Sequence, residues 1–229
     1  MTRMTNARIA GFTILFYMAI GVTVMTLMNR ATNAEGTAAI LACIAEHASD
    51  VRVAIFLELL ECFSAVVLAV VLYWMTRDEG HELAILAMAC RISEGVLGAV
   101  GLRNTLGLLW LATAGVGAGG PDVATANILG EYLLMPSQSA LNIGGLFFAV
   151  GSAIFSYLLL CGRIVPVALA WLGVLASVLL VVGLPLQIAG FYEGSMIGYL
   201  WLPMVAFQIP LGLWLLIKGV ATPAQRQSA

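Results

Sequence analysis

Apolar residues follow one another along this chain in long, nearly unbroken stretches that short polar segments separate. Helices of about 20 residues are needed to cross the roughly 30 Å hydrocarbon core of a bilayer. Lipid offers no hydrogen bonds to the backbone, so stretches of this kind predict helices and not open strands. Six stretches are long enough, at 8–28, 52–75, 83–112, 138–161, 164–188 and 196–218.

Two connecting segments also show helical spacing. Residues 34–48 place apolar side chains on one side, with Asn33 available as an N-cap. Residues 122–134 start at Asp122, a favourable first residue for a helix. Between them, Gly115 to Gly120 predicts a hinge or turn. The predicted fold class is therefore an all-α polytopic membrane bundle of six transmembrane helices, with two short amphipathic helices on its outer side.

Basic residues at the ends of the predicted spans set the orientation of the bundle. One side carries six of them, and the other side carries only Arg30 and Arg52, together with six acidic residues. Positively charged flanks stay in the cytoplasm, so we expect both termini there. The first stretch is too long for the core of a signal peptide and is expected to remain as an uncleaved span. The six basic residues are Arg3, Arg8, Arg77, Arg163, Lys218 and Arg226.

Composition narrows the class of protein further. Only 10% of the 229 residues are charged, against about 25% in soluble domains, so a polar outer surface is not available. The length suits a single transmembrane helical domain over residues 1–229. The basic residues form no patch, so no nucleic-acid partner is expected. The four cysteines lie far apart with no C-x-x-C pair, so neither a metal site nor a cofactor is predicted.

Five ionisable residues fall inside the predicted spans, where insertion of each costs about 2.5–3.5 kcal/mol. Such residues face the interior of a bundle and mark candidate sites. Glu58 and Glu61 are three residues apart, as are Arg91 and Glu94, so each pair shares one side of its helix. Small residues continue both sides, which favours close helix packing. The fifth ionisable residue is Arg103.

A hairpin turning near Glu79 brings these residues to similar depths. Glu61 is then within a turn of Glu94, and Glu58 within a turn of Arg103, so one buried network is predicted. Arg103 points about 180° away from Glu94 on its own helix. It can instead reach the outer interface and pair with Glu131 or Asp122, and this alternative stays open. We add Asn142 to the lining of the predicted cavity.

Three carboxylates face two guanidiniums in this cluster, and a buried arginine stays charged. One carboxylate must therefore be protonated, reach water, or bind a cation or an amine-bearing ligand. The first functional hypothesis is a protein that binds, or also transports, a small molecule, a lipid headgroup or an ion. The residues proposed to bind this ligand are Glu58, Glu61, Arg91, Glu94, Arg103 and Asn142.

Two further hypotheses use the same residues differently. In the second, the charges only hold the fold of a structural or regulatory partner protein. In the third, a glutamate serves as acid or base of an intramembrane enzyme. The chain has neither H-E-x-x-H nor G-x-S-x-G, so no catalytic residue is assigned and a non-enzymatic role is favoured. The expected partners are the lipid bilayer and, as an open alternative, further copies of the chain.

Several short segments carry a family likeness. They are Ala7–Gly11, Gly144–Phe148, Tyr157–Leu159, Arg163–Pro166, Leu172 with Gly173, Leu213–Gly219, and the spaced pair Arg91 and Glu94. Together they resemble a family of bacterial six-span membrane proteins that is catalogued only as a domain of unknown function. That family often has an acid in its sixth span where this chain has Gln208, so no charged role carries over there. The resemblance implies a six-span fold in a bacterial inner membrane, and it implies no activity.

Overall fold

A computed structural model describes residues 3–114, 121–134, 136–191 and 196–220, and their side chains apart from those of 136–142 and 196–197. The predicted turn at Gly115 to Gly120 lies outside the described residues. All regular structure in the described part is helical. The helices are α1 (Arg3–Thr32), α2 (Thr37–Glu46), α3 (Ala48–Thr76), α4 (His81–Thr113), α5 (Val123–Leu134), α6 (Pro136–Cys161), α7 (Val167–Ile188) and α8 (Met196–Ile217).

Six of these helices, α1, α3, α4, α6, α7 and α8, are long and apolar enough to cross a membrane. The predicted all-helical, multi-pass fold is confirmed, and the protein's environment is a lipid bilayer. The first three begin two to five residues before the predicted stretches, for example at Arg3 instead of residue 8. Hydropathy marks only the part of a helix that lies in hydrocarbon, whereas the backbone hydrogen bonds continue into the headgroup region.

The short connecting helices α2 and α5 confirm the two amphipathic helices that the spacing predicts. A Cβ added to Gly130 in α5 would lie 2.8 Å from Cγ2 of Thr37 and 3.2 Å from Cδ1 of Leu41 in α2. The two helices therefore pack against each other, and Gly130 lets them approach closely. The backbone N–H of Thr125 donates a 2.7 Å hydrogen bond to Oδ1 of Asp122, so Asp122 caps α5 as expected.

The expected N-cap of α2 is wrong. The cap position is Gly36, with φ of 86°, three residues after Asn33. The chain leaves α1 through a tight turn in which the N–H of Ala34 bonds to the carbonyl of Thr32. Gly36 then supplies the positive φ that redirects the chain, a conformation that costs glycine least.

The described residues group into two compact units. The larger unit comprises Met1–Met18, Phe63–Gly95 and Asn142–Ala229, and the smaller unit comprises Ala19–Cys62 and Val96–Leu141. The smaller unit has its own apolar core, in which Ile44 of α2 and Val51 of α3 are almost fully buried.

In the larger unit, the backbones of α1 and α8 lie close together at Gly11. A Cβ on Gly11 would lie 2.5 Å from the backbone nitrogen of Leu216 and 2.6 Å from the backbone oxygen of Gly212. Only glycine fits at that position, since backbone atoms cannot move aside cheaply. Around this crossing lies the core of the unit, in which Met75, Leu180, Met204 and Leu215 are almost completely buried.

One end of the larger unit collects several chain connections. Nη2 of Arg3 lies 2.8 Å from Oδ2 of Asp78, in the turn between α3 and α4. Glu79 of the same turn packs on Gly162, which follows α6, and Met4 packs on Gly219, which follows α8. The segments predicted to share one membrane face therefore do lie together. The cytoplasmic assignment of that face stays a prediction.

Candidate functional site

The candidate site lies in the larger unit, on the side of α4 that small residues mark in the sequence. Ala84, Ala87, Arg91 and Glu94 recur at helical spacing on this side, and all four are buried. Only 2% of Arg91 and 8% of Glu94 is exposed. Burial of this completeness is uncommon for charged side chains unless they are paired.

Arg91 and Glu94 form an ion pair within one turn of α4. Nη1 of Arg91 lies 2.6 Å from Oε2 of Glu94. Their alignment does not meet the geometry of a hydrogen bond, so the contact is one of charge and not of a directed bond. The other carboxylate oxygen, Oε1, accepts a 2.8 Å hydrogen bond from the hydroxyl of Tyr17 in α1.

Aromatic rings and a glycine shape the space around the arginine. The guanidinium carbon of Arg91 lies 4.7 Å from the ring centroid of Phe148 and 5.8 Å from that of Tyr17. Both distances allow a cation–π attraction. A Cβ on Gly151 would lie 3.0 Å from Cγ of Arg91 and 3.1 Å from the carbonyl oxygen of Ala87. Gly151 thus lets α6 approach the arginine stem, and the cluster joins α1, α4 and α6.

A small cavity of about 30 Å³ is lined in part by Arg91. Its polar wall consists of Arg91, Ser152 and Ser156 of α6, and Gln208 of α8, and the rest of the wall is apolar. All three guanidinium nitrogens lack a directed hydrogen bond to a described residue. The arrangement is therefore a buried cation with unused donors next to a space large enough for a water-sized occupant.

The other predicted site residues lie elsewhere. Glu58 and Glu61 are partly buried in the smaller unit, where Oε1 of Glu61 lies 3.2 Å from the position that a Cβ on Gly21 would take. Arg103 is exposed in the same unit, and it pairs with neither Glu131 nor Asp122, although all three side chains are described.

Of the buried network predicted from the sequence, the structure describes one contact. Arg91 and Glu94 are brought together, whereas their link to Glu58, Glu61 and Arg103 stays a prediction. The side chain of Asn142 lies outside the described residues.

A family model described as a domain of unknown function (DUF4386) matches residues 9–219. The chain belongs to this family. The match runs from within α1 to the residues after α8, so it covers the whole candidate site and every described helix except the first six residues of α1. It confirms the resemblance that the sequence segments predict. No curated protein and no solved structure matches the chain.

Sequence reasoning missed five members of the site in this DUF4386 protein: Tyr17, Phe148, Ser152, Ser156 and Gln208. A weak signal exists for the serines, because their spacing of four residues puts both on one side of a helix. Tyr17 is the only tyrosine in its apolar stretch, which marks it as a polar group in lipid. Nothing in the pattern identifies Glu94, 77 residues away, as its partner.

Proposed function

We propose that this protein binds a small solute rich in hydrogen-bond acceptors at the Arg91–Glu94 pair, in a bacterial inner membrane with both termini cytoplasmic. The observation that carries the proposal is the guanidinium of Arg91. It is almost completely buried, and no described residue accepts a directed hydrogen bond from it.

The physical reason is the hydrogen-bonding requirement of a buried guanidinium. Arginine carries five N–H donors and keeps its charge inside a protein. Leaving buried donors without acceptors costs about 1–3 kcal/mol each, and more when the group is charged. Glu94 offers charge and Phe148 offers a ring face. Neither contact is a directed hydrogen bond, and an occupant of the adjacent cavity would supply acceptors for the remaining donors of Arg91.

A structural role is the second candidate, and one observation favours it. Tyr17 and Phe148 reach the Arg91–Glu94 pair from α1 and α6, so the cluster links three helices of the larger unit. Buried polar groups of this kind hold helices in register within a membrane. In that case the cavity holds only water, and replacing Arg91 and Glu94 together by uncharged residues should leave the protein folded and functional.

The test is native mass spectrometry of gently purified protein. We compare the natural chain with Arg91→Gln and with Arg52→Gln, which removes an exposed arginine of α3. The proposal expects a stoichiometric adduct in the natural chain and in Arg52→Gln, and its loss in Arg91→Gln. A folded Arg91→Gln protein that keeps the adduct, or a natural chain without any adduct, contradicts the proposal.

Arg91→Gln leaves Glu94 without its charge partner and can impair folding. The double variant Arg91→Gln with Glu94→Gln keeps the site neutral and close to its natural volume. It should fold and lose the adduct. Retention of the adduct in this variant also contradicts the proposal.

The wider site, with Glu58, Glu61, Arg103 and Asn142, is part of the proposal. Glu61→Gln tests it most directly, because the carboxylate of Glu61 is partly buried in its span. A weaker adduct in Glu61→Gln supports the extended site. An unchanged adduct confines the site to the larger unit.

A further inference from the structure

The size of the cavity restricts what can occupy it. Its volume is about 30 Å³, which is room for one or two water-sized particles. The apolar part of its wall includes the rings of Phe155 and Phe207 and the side chain of Leu68. An organic solute or a lipid headgroup does not fit without moving these side chains.

The polar part of the wall is rich in donors. The hydroxyls of Thr23, Thr26 and Thr76 each donate to the backbone carbonyl four residues earlier. Ser152 and Ser156, one helical turn apart on α6, both line the cavity. They can therefore donate into the cavity, as can the Gln208 amide and the Arg91 guanidinium. A cation is disfavoured there by the guanidinium charge.

Charge balance then involves Glu94. The Arg91–Glu94 pair is neutral as it stands, and an added anion would leave one net negative charge in a span, which is costly. Neutrality returns if the Glu94 carboxylate takes one proton from water while the anion replaces it as the counterion of Arg91. One O–H bond forms on Glu94, and one O–H bond of a hydronium ion breaks and leaves water, so the bulk solution loses one proton.

The surroundings of Glu94 fit this exchange. Glu94 forms an ion pair with Arg91 on its own helix and accepts a hydrogen bond from Tyr17 of α1. Towards the cavity, α6 brings Ser152 and Ser156 and α8 brings Gln208, none of which titrates in the ordinary pH range. Glu94 is thus the group that can accept the proton, and Tyr17 can hold the carboxyl in place.

We infer that the site takes up a small monovalent anion, such as a halide, together with one proton that Glu94 accepts. This inference rests on the proposed function and specifies its solute class and its coupling.

The test uses the full-length protein in nanodiscs, in a weakly buffered solution with a bulky organic anion as the only counterion. Bromide is added while a pH indicator reports proton uptake and calorimetry reports binding. About one proton should be taken up for each bromide bound. Bromide affinity should fall about tenfold for each pH unit in the range where Glu94 is ionised before binding.

Variants separate the two parts of the inference. Glu94→Gln should bind bromide without proton uptake and without pH dependence. Glu82→Gln, which changes an exposed glutamate in the first turn of α4, should behave as the natural chain does. Arg91→Gln should not bind bromide. If Glu94→Gln does not fold, proton uptake by the natural chain carries the test alone.

The remaining outcomes of the bromide experiment overturn the proton coupling, the solute class or the proposed function itself. Bromide binding without proton uptake in the natural chain overturns the coupling and leaves the proposed function intact. No bromide binding, beside an Arg91-dependent adduct of larger mass, overturns the solute class only. If neither bromide nor an adduct is found, and crystals soaked in bromide show an ordered water only, the inference and the proposed function both fail.

Discussion

The phenolic hydroxyl of Tyr17 donates a 2.8 Å hydrogen bond to Oε1 of Glu94 and so connects α1 with α4. The other oxygen of the same carboxylate faces Arg91 at 2.6 Å. Glu94 is thus held between a neutral donor and a cation, which fixes the orientation of its carboxylate. Hydrogen bonds to charged groups contribute about 1.5–3 kcal/mol.

Removing that hydroxyl should destabilise the protein. We expect Tyr17→Phe to lower the free energy of unfolding by about 1.5–3 kcal/mol, because Glu94 loses a buried donor while the ring is retained. Thermal unfolding in detergent measures the effect. Tyr132→Phe, at an exposed tyrosine of α5, is the control and should leave the melting temperature unchanged. Equal melting temperatures for both variants would show that the bond contributes nothing.

Removing one charge of the ion pair should cost more than removing both. Arg91→Leu leaves the Glu94 charge buried without a partner, a loss of about 3–5 kcal/mol. Adding Glu94→Leu removes the stranded charge and should recover most of that loss. Chemical unfolding of the two variants measures the difference. A double variant that is no more stable than the single one would contradict the pairing.

The same double variant distinguishes the two candidate functions. If it folds and loses the bound solute, the charges serve binding. If it folds and keeps full activity in cells that depend on the protein, the structural role is favoured.

The crossing of α1 and α8 should not tolerate a methyl group. We expect Gly11→Ala to destabilise the protein by about 1–3 kcal/mol or more, since the added Cβ meets backbone atoms of Leu216 and Gly212. Gly101→Ala is the matched control, because no atom lies within 4 Å of the added Cβ there. It should be neutral or stabilising by up to about 1 kcal/mol, as alanine favours a helix. Similar effects of both substitutions would refute the close crossing.

The start of α5 should depend on pH through Asp122. Hydrogen bonds from the backbone and the side chain of Thr125 hold the pKa of Asp122 below its usual value of 3.8. The cap therefore contributes fully above that value, and its contribution is lost as the pH falls through the lowered pKa.

Hydrogen exchange of the first turn of α5 measures this dependence. Protection of these amides, corrected for intrinsic exchange, should decrease at acidic pH in the natural chain. Asp122→Asn keeps a capping oxygen but does not titrate, so its protection should not change with pH. Identical pH profiles would exclude Asp122 as the cause.

Two natural cysteines can report the orientation in the membrane. Cys43 lies in α2, and Cys161 is exposed at the end of α6. Variants that retain only one of them should label differently with a membrane-impermeant maleimide. Cys43 should react in intact cells, and Cys161 only after permeabilisation, because the positively charged flanks face the cytoplasm. The reverse pattern would invert the proposed orientation.

The spans and the Arg91–Glu94 pair were within reach of the sequence. Hydropathy is a local property, and lipid forces each apolar stretch of sufficient length into a helix, so the spans could be predicted to within a few residues. A separation of three residues puts Arg91 and Glu94 on one side of α4 in any helix of regular pitch. The placement of six basic residues on one side of the membrane follows from the number of spans that separate them along the chain.

The partners of these residues required the tertiary structure. Rotation and depth of each helix depend on close contacts such as Gly11 with Gly212 and Gly151 with Arg91, which involve residues far apart in the chain. Those contacts bring Tyr17 to Glu94, whereas Arg103 of the same helix is left exposed. Periodicity assigns a residue to a side of its own helix, but which neighbour covers that side is decided by the summed packing of all the helices.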